Sequence, residues 1–221
     1  MKIVALLARM KVAQRRGLAT WIVYLALIAA LYALPGPLIE AYAVTSAVLV
    51  VASCWLVFGT MVTERSATTL LASGAGGSPR LHAMQVGAGA LAAVPLGIIA
   101  IIWGLIVVWP PHPARVIAVG LLAHALAILV GTGIGAIAAR PVLADGALSL
   151  AVAIGLLIIV LAVPASSPYG PALRHLSRGE GDLSVLLLGL AGGVVWAVVL
   201  TVAGGVIAAR RRAYGMSAPD A

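Results

Sequence analysis

The chain has 221 residues, of which 63% are hydrophobic and only 9% are charged, and its mean hydropathy is +1.16. This composition excludes a soluble globular domain, whose water-facing surface would need far more polar residues. The net charge of +8 comes from basic residues between the apolar stretches, and these form no continuous face for binding nucleic acid. The sequence therefore predicts an integral membrane protein that has a lipid bilayer, and no nucleic acid, among its partners.

Six apolar stretches follow one another along the chain. Each is long enough to be a candidate membrane-spanning helix, although the first and the fifth are close to the minimum length. The predicted spans are Leu18–Leu34, Tyr42–Thr63, Met84–Trp109, Val116–Ala139, Ala147–Val163 and Leu183–Ala209. None of them alternates in the way that the strands of a membrane barrel do. We therefore expect an all-α polytopic membrane protein in which residues 18–209 form a single six-helix transmembrane domain.

The basic residues predict the orientation of these spans. If the N-terminus is cytoplasmic, only Arg115, Arg174 and Arg178 of the 14 Lys and Arg residues lie outside. The positive-inside rule favours that orientation, and an even number of spans returns the C-terminal tail, residues 210–221, to the cytoplasm. The Ala-, Gly-, Val- and Arg-rich composition suggests a GC-rich bacterial genome, so we expect a multi-pass protein of a bacterial inner membrane.

Residues 1–17 precede the first span and have an amphipathic pattern. On a helical projection the apolar residues form one arc, and lysine and arginine flank both of its edges. Such a helix can lie in the membrane interface while its long cationic side chains reach the headgroups. The segment predicts an interfacial amphipathic helix, and the alternative is a basic flank that only orients the first span.

The segment 64–82 is the most informative polar stretch. Glu64 and Arg65 can begin a short cytoplasmic helix, and the glycines of residues 74–77 can end it. Ser78 and Pro79 then have the residue types that cap and begin the next helix. We expect a helix that projects from the membrane and can dock on another protein, and the alternative is an ordinary solvated loop.

This segment resembles a pattern in the membrane subunits of type 2 ATP-binding-cassette (ABC) exporters. Those subunits often carry Glu-Arg-x-x-Gly-Thr-x-x-x-Leu-Leu-Ala-Ser-Pro and a basic stretch after the second span. The matching residues here are Glu64-Arg65, Leu70-Leu71-Ala72-Ser73 and Ser78-Pro79-Arg80. Ser66-Ala67-Thr68-Thr69 and Gly74-Ala75-Gly76-Gly77 depart from the pattern. The predicted layout of spans is also similar to that family over essentially the whole chain.

The resemblance implies a permease subunit whose cytoplasmic helix couples it to a separate ATPase subunit. The coupling residues that it implies are Glu64, Arg65, Thr69, Leu70, Leu71, Ser73 and Arg80. ATP and magnesium would bind to that partner, because this chain has no Gly-x-x-x-x-Gly-Lys-Ser/Thr loop and so is not expected to be an ATPase enzyme itself. A second permease subunit, identical or related, would complete the pathway. The expected cargo is an amphipathic drug, peptide or lipid-like molecule.

Candidate pathway residues are His124, Arg174 and His175. His124 is the main ionisable residue inside a predicted span, which favours a substrate or proton role, although bonding to a neighbouring helix would also explain it. Arg174 and His175 lie in the outer segment 164–182, for which the resemblance implies short re-entrant helices that form a gate. The alternative for that segment is a solvated outer loop. The short loop 140–146 is either a second contact with the ATPase or only a membrane boundary.

Other features favour an external source of energy. An ion-coupled transporter usually needs carboxylates or broken helices near the midplane, and neither is obvious in the sequence. The scattered histidines and the lone Cys54 predict no metal site and no cofactor in this chain. Glycines in the fourth and sixth spans predict close helix packing, and Trp21 and Tyr24 are expected to anchor at the interface or face lipid. A non-transporting assembly or sensor subunit is the alternative function.

Overall fold

A computed structural model describes residues 15–33, 36–63, 78–139, 142–143 and 145–213, and the regular secondary structure within these ranges is entirely α-helical. The helices are α1 (Arg15–Tyr32), α2 (Leu38–Thr63), α3 (Ser78–Val107), α4 (Pro113–Ala138), α5 (Gly146–Ala162), α6 (Tyr169–Ser177) and α7 (Leu183–Ala213). Four of them, α2, α3, α4 and α7, are long and apolar enough to cross a membrane. The all-helical prediction is confirmed for this part of the chain.

The two remaining apolar helices are shorter and cover Leu18–Tyr32 and Gly146–Ala162. The helix of the first predicted span begins at Arg15, so residues 15–17 of the predicted interfacial segment continue into α1. At the other terminus α7 continues to Ala213, four residues beyond the predicted end of the last span. The rest of the predicted interfacial helix and of the C-terminal tail lies outside the described residues, as do residues 64–77 of the predicted coupling segment.

The long helices pack side by side and run alternately up and down. At one end, called the Leu38 end, the start of α2 lies beside the end of α3, and Gly104 of α3 is close to Leu38 and Tyr32. At the other end, called the Thr63 end, Gly89 of α3 lies against Val57 of α2. The short connections at residues 33–37 and 108–112 favour antiparallel neighbours at the Leu38 end.

Helix α4 lies at the centre of the bundle and packs most extensively against α2 and α7. The contact with α2 depends on two glycines that have no side chain to separate the backbones. A Cβ atom at Gly131 would overlap the Val50 carbonyl oxygen, and one at Gly135 would come within 2.8 Å of the Cys54 carbonyl oxygen. Close packing at the glycines, which the sequence predicts, is therefore confirmed for these two positions.

The outer surface of the bundle is apolar. Ile106 of α3 and Leu188 of α7 have exposed fractions of 76% and 77%, and many Val, Leu and Ile side chains of α1, α5 and α7 are also exposed. A water-soluble protein rarely leaves so continuous an apolar surface uncovered. A surface of this kind is suited to lipid, in agreement with the membrane-helix character of the four long helices.

Helices α5 and α6 are separated by a non-helical turn at residues 163–168, and together they are called the broken unit. Ser166 Oγ donates to the carbonyl oxygens of Val163 and Ile159, at 2.6 and 3.0 Å, and so closes the C-terminus of α5. A Cβ at Gly192 would meet Pro168 Cβ at 2.9 Å. Because Gly192 lies about 13 Å along α7 from its first residue, the turn after α5 lies inside the bundle rather than at its end.

From that turn α6 returns to the Leu38 end. Tyr169 at its start is buried, and after its last residue Gly181 lies beside Ile39 of α2. The 17 residues of α5 and the 9 residues of α6 together match the 26 residues of α2, so the two helices cover the length of the bundle between them. Irregular backbone at this depth is stable only against protein or water, and here it packs against α2 and α7.

Candidate functional site

A cluster of polar side chains lies inside the apolar bundle, on the side of the Leu38 end. We call it the tyrosine–histidine cluster, and its members are Tyr24, Tyr32, Tyr42, Thr45, Ser46, His124 and Tyr169. Each member is buried, and they come from α1, α2, α4 and α6. Four of the five tyrosines in the chain are therefore in one place. Within an apolar bundle, such a concentration of hydrogen-bonding groups is a candidate functional site.

The histidine of the cluster uses both ring nitrogens. His124 has an exposed fraction of 2%, and its Nδ1 lies 2.7 Å from the Gly120 carbonyl oxygen of its own helix. Because a carbonyl oxygen only accepts, Nδ1 donates. In a neutral imidazole Nε2 then accepts, and the Thr45 hydroxyl of α2 lies 3.1 Å from it. The ring thus joins α4 to α2 and has no acidic partner among the described residues.

Thr45 and Ser46 connect α2 to three other elements. The Thr45 carbonyl oxygen accepts a long bond, 3.4 Å, from the Tyr24 hydroxyl of α1, and the Thr45 side chain bonds to His124 of α4. Ser46 Oγ lies 2.5 Å from the Tyr42 carbonyl oxygen and 2.7 Å from the Tyr169 hydroxyl of α6. One turn of α2 therefore holds α1, α4 and the returning helix α6 together.

Tyr42 closes the cluster against α3 and α4. Its ring meets the His124 ring edge to face, with centroids 5.6 Å apart, and it packs over Gly120. Its hydroxyl is buried and has no hydrogen-bond partner among the described residues. The ring position is thus determined by packing rather than by a hydrogen bond.

The predicted pathway residues do not form one site. Arg174 is exposed on α6, whereas His175 Nδ1 lies 2.6 Å from Glu180 Oε2 in the exit from α6. The Glu180 carbonyl oxygen also accepts from Arg115 Nη2 at 3.3 Å, which ties this exit to the start of α4. His124, in contrast, lies in the interior with Thr45. The structure therefore separates His124 from the other two candidates.

The exit from α6 leads directly into α7. Gly179 and Gly181 have positive φ angles of 72° and 54°, which an L side chain rarely adopts. Asp182 Oδ1 then accepts from both the hydroxyl and the amide of Ser184, at 2.8 Å each. The Ser184 hydroxyl, and secondly its amide, hold the pKa of the exposed Asp182 below its ordinary value, so the carboxylate is ionised at the start of α7.

Most of the predicted coupling residues cannot be placed. Glu64, Arg65, Thr69, Leu70, Leu71 and Ser73 lie outside the described residues. Arg80 is exposed in the first turn of α3, at the Thr63 end, where a partner could reach it. Within the described ranges no group of three His, Cys, Asp or Glu side chains could hold a metal ion.

One expectation from the sequence is wrong. Tyr24 is not exposed to lipid, because its exposed fraction is 1% and it is part of the buried cluster. The sequence also leaves open how deep segment 164–182 lies, and in the structure the break between α5 and α6 lies inside the bundle. The signal for the break was present in the prolines of residues 164–171, but hydropathy alone does not show how deep a break lies.

Tyr169→Phe is expected to loosen α6, because it removes the hydroxyl that bonds to Ser46. In a Cys54→Ser background with Ser167→Cys, a water-soluble maleimide should label the new cysteine about threefold faster after this change, since one hydrogen bond between membrane helices contributes about 0.6 kcal/mol. Tyr42→Phe is the matched control, because the Tyr42 hydroxyl has no described partner. Equal labelling rates in all variants would show that the Ser46–Tyr169 bond does not hold α6 in place.

No family model, curated protein or solved structure matches this chain. The function must therefore be inferred from the sequence pattern at residues 64–80 and from the geometry of the described helices. Two structural features bear on the function: the broken unit formed by α5 and α6, and the tyrosine–histidine cluster to which α6 is hydrogen-bonded.

Proposed function

We propose that this chain is the permease subunit of a type 2 ABC exporter in a bacterial inner membrane. In this proposal α5 and α6 make one broken crossing, so the chain crosses the membrane six times and both termini are cytoplasmic. The Thr63 end then faces the cytoplasm and the Leu38 end faces outward. The cargo is an amphipathic drug, peptide or lipid-like molecule, and a separate subunit hydrolyses the ATP.

The observation that supports this proposal best is the broken unit. Helix α5 stops inside the bundle, and α6 returns to the Leu38 end while Tyr169 bonds to Ser46 of α2. The similarity to the exporter family implies short re-entrant helices at this place in the chain. Non-helical backbone at such a depth is uncommon in a purely structural bundle and is typical of transport proteins.

The charges favour an ATP-driven transporter over an ion-coupled one. A broken helix alone would suit either class, since both can bind cargo at an interrupted helix. An ion-coupled transporter also needs carboxylates near the break, and none of the described acidic residues lies there. Glu40 is exposed in the first turn of α2, and Glu180 and Asp182 lie at the Leu38 end.

The pathway in this proposal passes the tyrosine–histidine cluster. Movement of the cytoplasmic coupling segment would displace α2 and α3, which it connects, and the Thr45–Ser46 turn of α2 would transmit that displacement to α4 and α6. A bundle of this size encloses little space, so two permease subunits are needed to form a pathway between them. ATP and Mg²⁺ bind to the separate ATPase subunits.

The deciding experiment is affinity purification of the tagged chain from its native membrane. We expect an ATPase subunit with an intact phosphate-binding loop to co-purify, and the reconstituted complex to hydrolyse ATP. Glu64→Ala should weaken this association about tenfold, because a hydrogen bond to a charged group contributes about 1.5 kcal/mol. The control is Glu180→Ala, the same substitution at the opposite end of the bundle, which should leave the association unchanged.

Two results would contradict the proposal. One is a chain that purifies without an ATPase and transports in vesicles under an ion gradient alone, which would indicate a secondary transporter. The other is an associated ATPase whose binding and turnover are the same for Glu64→Ala as for the unsubstituted chain, which would remove Glu64 from the coupling contact.

A further inference from the structure

The start of α3 buries a histidine at the residue where the predicted coupling segment 64–82 ends. His82 has an exposed fraction of 3%, whereas Pro79 and Arg80, which precede it in the same helix, are exposed. The imidazole therefore lies inside the bundle at the Thr63 end. Burial of a polar ring in an apolar environment is costly unless other groups contact it. The contacts of His82 thus show which helices the end of this segment acts on.

The imidazole of His82 lies against α7 at a residue that has no side chain. A Cβ atom at Gly204 would come within 2.7 Å of His82 Nε2 and within 2.9 Å of the Ala136 carbonyl oxygen of α4. At the next residue, a Cβ at Gly205 would meet Pro79 and the His82 ring at 3.6 and 3.7 Å, which is ordinary van der Waals contact. The ring therefore occupies the space that a side chain at position 204 would need, and α3, α4 and α7 meet there.

Helix α3 connects the end of the coupling segment to α7. The largest contacts of α7 are with α4, α3 and α6, and α3 begins at the residue that follows position 77. One turn after His82, Val86 packs in a buried cluster with Val57 and Met61 of α2. The first turns of α3 therefore contact α2 as well as α7, and a displacement of this helix start reaches both.

The contact at Gly204 is suited to transmit movement because neither side of it yields easily. An imidazole is a flat and rigid ring, and Gly204 presents backbone atoms rather than a side chain that could rotate away. Packed interiors have low compressibility and change between discrete arrangements instead of deforming gradually. When the start of α3 moves, α7 is therefore expected to move with it.

We propose that His82 is a positioning residue that joins the end of the coupling segment to α7, so that α3 and α7 move as one unit. This inference rests on the proposed exporter function for the source of the movement, which is ATP binding to the partner subunit. It also extends that function, since the Thr45–Ser46 turn of α2 reaches α4 and α6, whereas His82 reaches α7. The two main neighbours of α4, which are α2 and α7, are then displaced by the same cytoplasmic event.

The contact itself is tested by the thermal midpoint of unfolding of the full chain in detergent micelles. Gly204→Ala should lower the midpoint, because the added methyl group meets both the His82 ring and the α4 backbone. Gly205→Ala is the matched control at the adjacent position, where the methyl group has room, and its midpoint should stay the same or rise. In a His82→Ala background, Gly204→Ala should lower the midpoint less, because the ring is then absent.

Transmission to α7 is tested by distances in the complex with the ATPase subunit. A Cys54→Ser background carries one spin label at Leu148 of α5 as the reference. A second label lies at Ala83 of α3 or at Val206 of α7, and all three labelled positions are exposed. Pulsed electron paramagnetic resonance compares the complex without nucleotide and with Mg²⁺ and a non-hydrolysable ATP analogue. We expect both distances to shift, and in His82→Ala we expect the α3 shift to remain and the α7 shift to be lost.

His82→Phe separates the shape of the ring from its polarity. It keeps a flat ring against Gly204 and should retain the α7 shift, so a loss as large as that for His82→Ala would overturn the proposal. If His82→Phe does not fold, the distances in His82→Ala and the midpoints of the glycine variants still decide. Equal midpoints for Gly204→Ala and Gly205→Ala would show that the ring does not fill the space at position 204, and would also overturn the proposal.

The distances also distinguish a failure of this inference from a failure of the exporter proposal. If the nucleotide analogue moves α3 but not α7, or moves α7 equally in His82→Ala, the inference is wrong and the exporter proposal stands. If no ATPase associates with the chain, the exporter proposal fails and the movement assigned to His82 fails with it.

Discussion

Gly131→Ala is expected to lower the stability of the bundle more than any other single methyl addition in α4. The added Cβ would overlap the Val50 carbonyl oxygen, which belongs to the backbone of α2 and cannot rotate away. The two central helices must therefore move apart. Overpacking of this kind costs about 1–3 kcal/mol, and in a membrane the lost van der Waals contact is not replaced by a hydrophobic driving force. The measurement is the thermal midpoint of unfolding in detergent micelles.

Gly155→Ala in α5 is the matched control for this prediction. No heavy atom lies within 4 Å of a Cβ built at Gly155, so the methyl group meets open space. Alanine is a better helix former than glycine by about 0.5–1 kcal/mol, and the midpoint should stay the same or rise. A midpoint that falls equally for both substitutions would show that the α2–α4 contact is not as close as described.

A second variant extends the same test along the contact. Gly135→Ala would place its Cβ 2.8 Å from the Cys54 carbonyl oxygen, one turn further along α4. If α2 and α4 separate as rigid rods, the double variant should be less destabilised than the sum of the two single variants, because the first methyl group already moves the helices apart. Strict additivity would instead indicate two local adjustments.

The long helices are predictable because length and hydropathy determine them. Predicted spans such as Val116–Ala139 and Leu183–Ala209 lie within a few residues of α4 and α7. Helix α3 begins at Ser78, where the serine and proline predict a helix start. The break after α5 is also predictable, since the prolines from Pro164 onward cannot continue a helix.

The inner faces of the helices are not predictable in the same way. In a soluble helix the polar residues show which side faces water, but a helix that is apolar all round gives no such signal. Tyr24 illustrates this, because the usual preference of tyrosine for membrane interfaces predicts exposure, while α2 in fact covers it. The depth of the α5–α6 turn likewise depends on its contact with Gly192, which no local pattern reveals.

The candidate site was visible in the sequence only through His124. Thr45 and Ser46 lie in an apolar run, and no local sequence pattern connects them to their partners His124 and Tyr169, which are 79 and 123 positions further along the chain. Hydroxyl residues are common in membrane helices as simple packing residues, so they carry little information alone. Their meaning comes from the tertiary contacts, which bring one turn of α2 against His124 and Tyr169.

Removing the Thr45–His124 bond is expected to lower the free energy of unfolding, and more so when His124 is replaced than when Thr45 is replaced. In His124→Leu the Thr45 hydroxyl loses its partner at 3.1 Å and keeps only the long contact, 3.5 Å, with the Tyr42 carbonyl oxygen, while the Gly120 carbonyl oxygen loses the imidazole N–H. A buried group left without its bond costs about 1–3 kcal/mol, and the lost edge contact with Tyr42 adds to this. Thr45→Val leaves Nε2 of His124 without a donor and should cost less, because only one bond is lost.

The double variant Thr45→Val with His124→Leu distinguishes a bonded pair from two separate packing residues. For a bonded pair, the double variant should be more stable than the sum of the single losses by about 1 kcal/mol, within the range measured for bonds between membrane helices. Thr60→Val is the control, because among the described residues the Thr60 hydroxyl bonds within its own helix, to the Leu56 carbonyl oxygen. The free energies come from reversible unfolding in mixed micelles.

A transport assay on the same variants shows whether Thr45 and His124 contribute to export or only to stability. If His124 only joins α4 to α2, the double variant restores part of the stability and export proceeds at the unsubstituted rate once both proteins are folded. If the imidazole contacts the cargo, export stays low in the double variant although the bundle is stable, and Thr45→Val alone retains export. A coupling free energy near zero would mean that the two side chains do not bond in the membrane, and the cluster would then have no role in linking these helices.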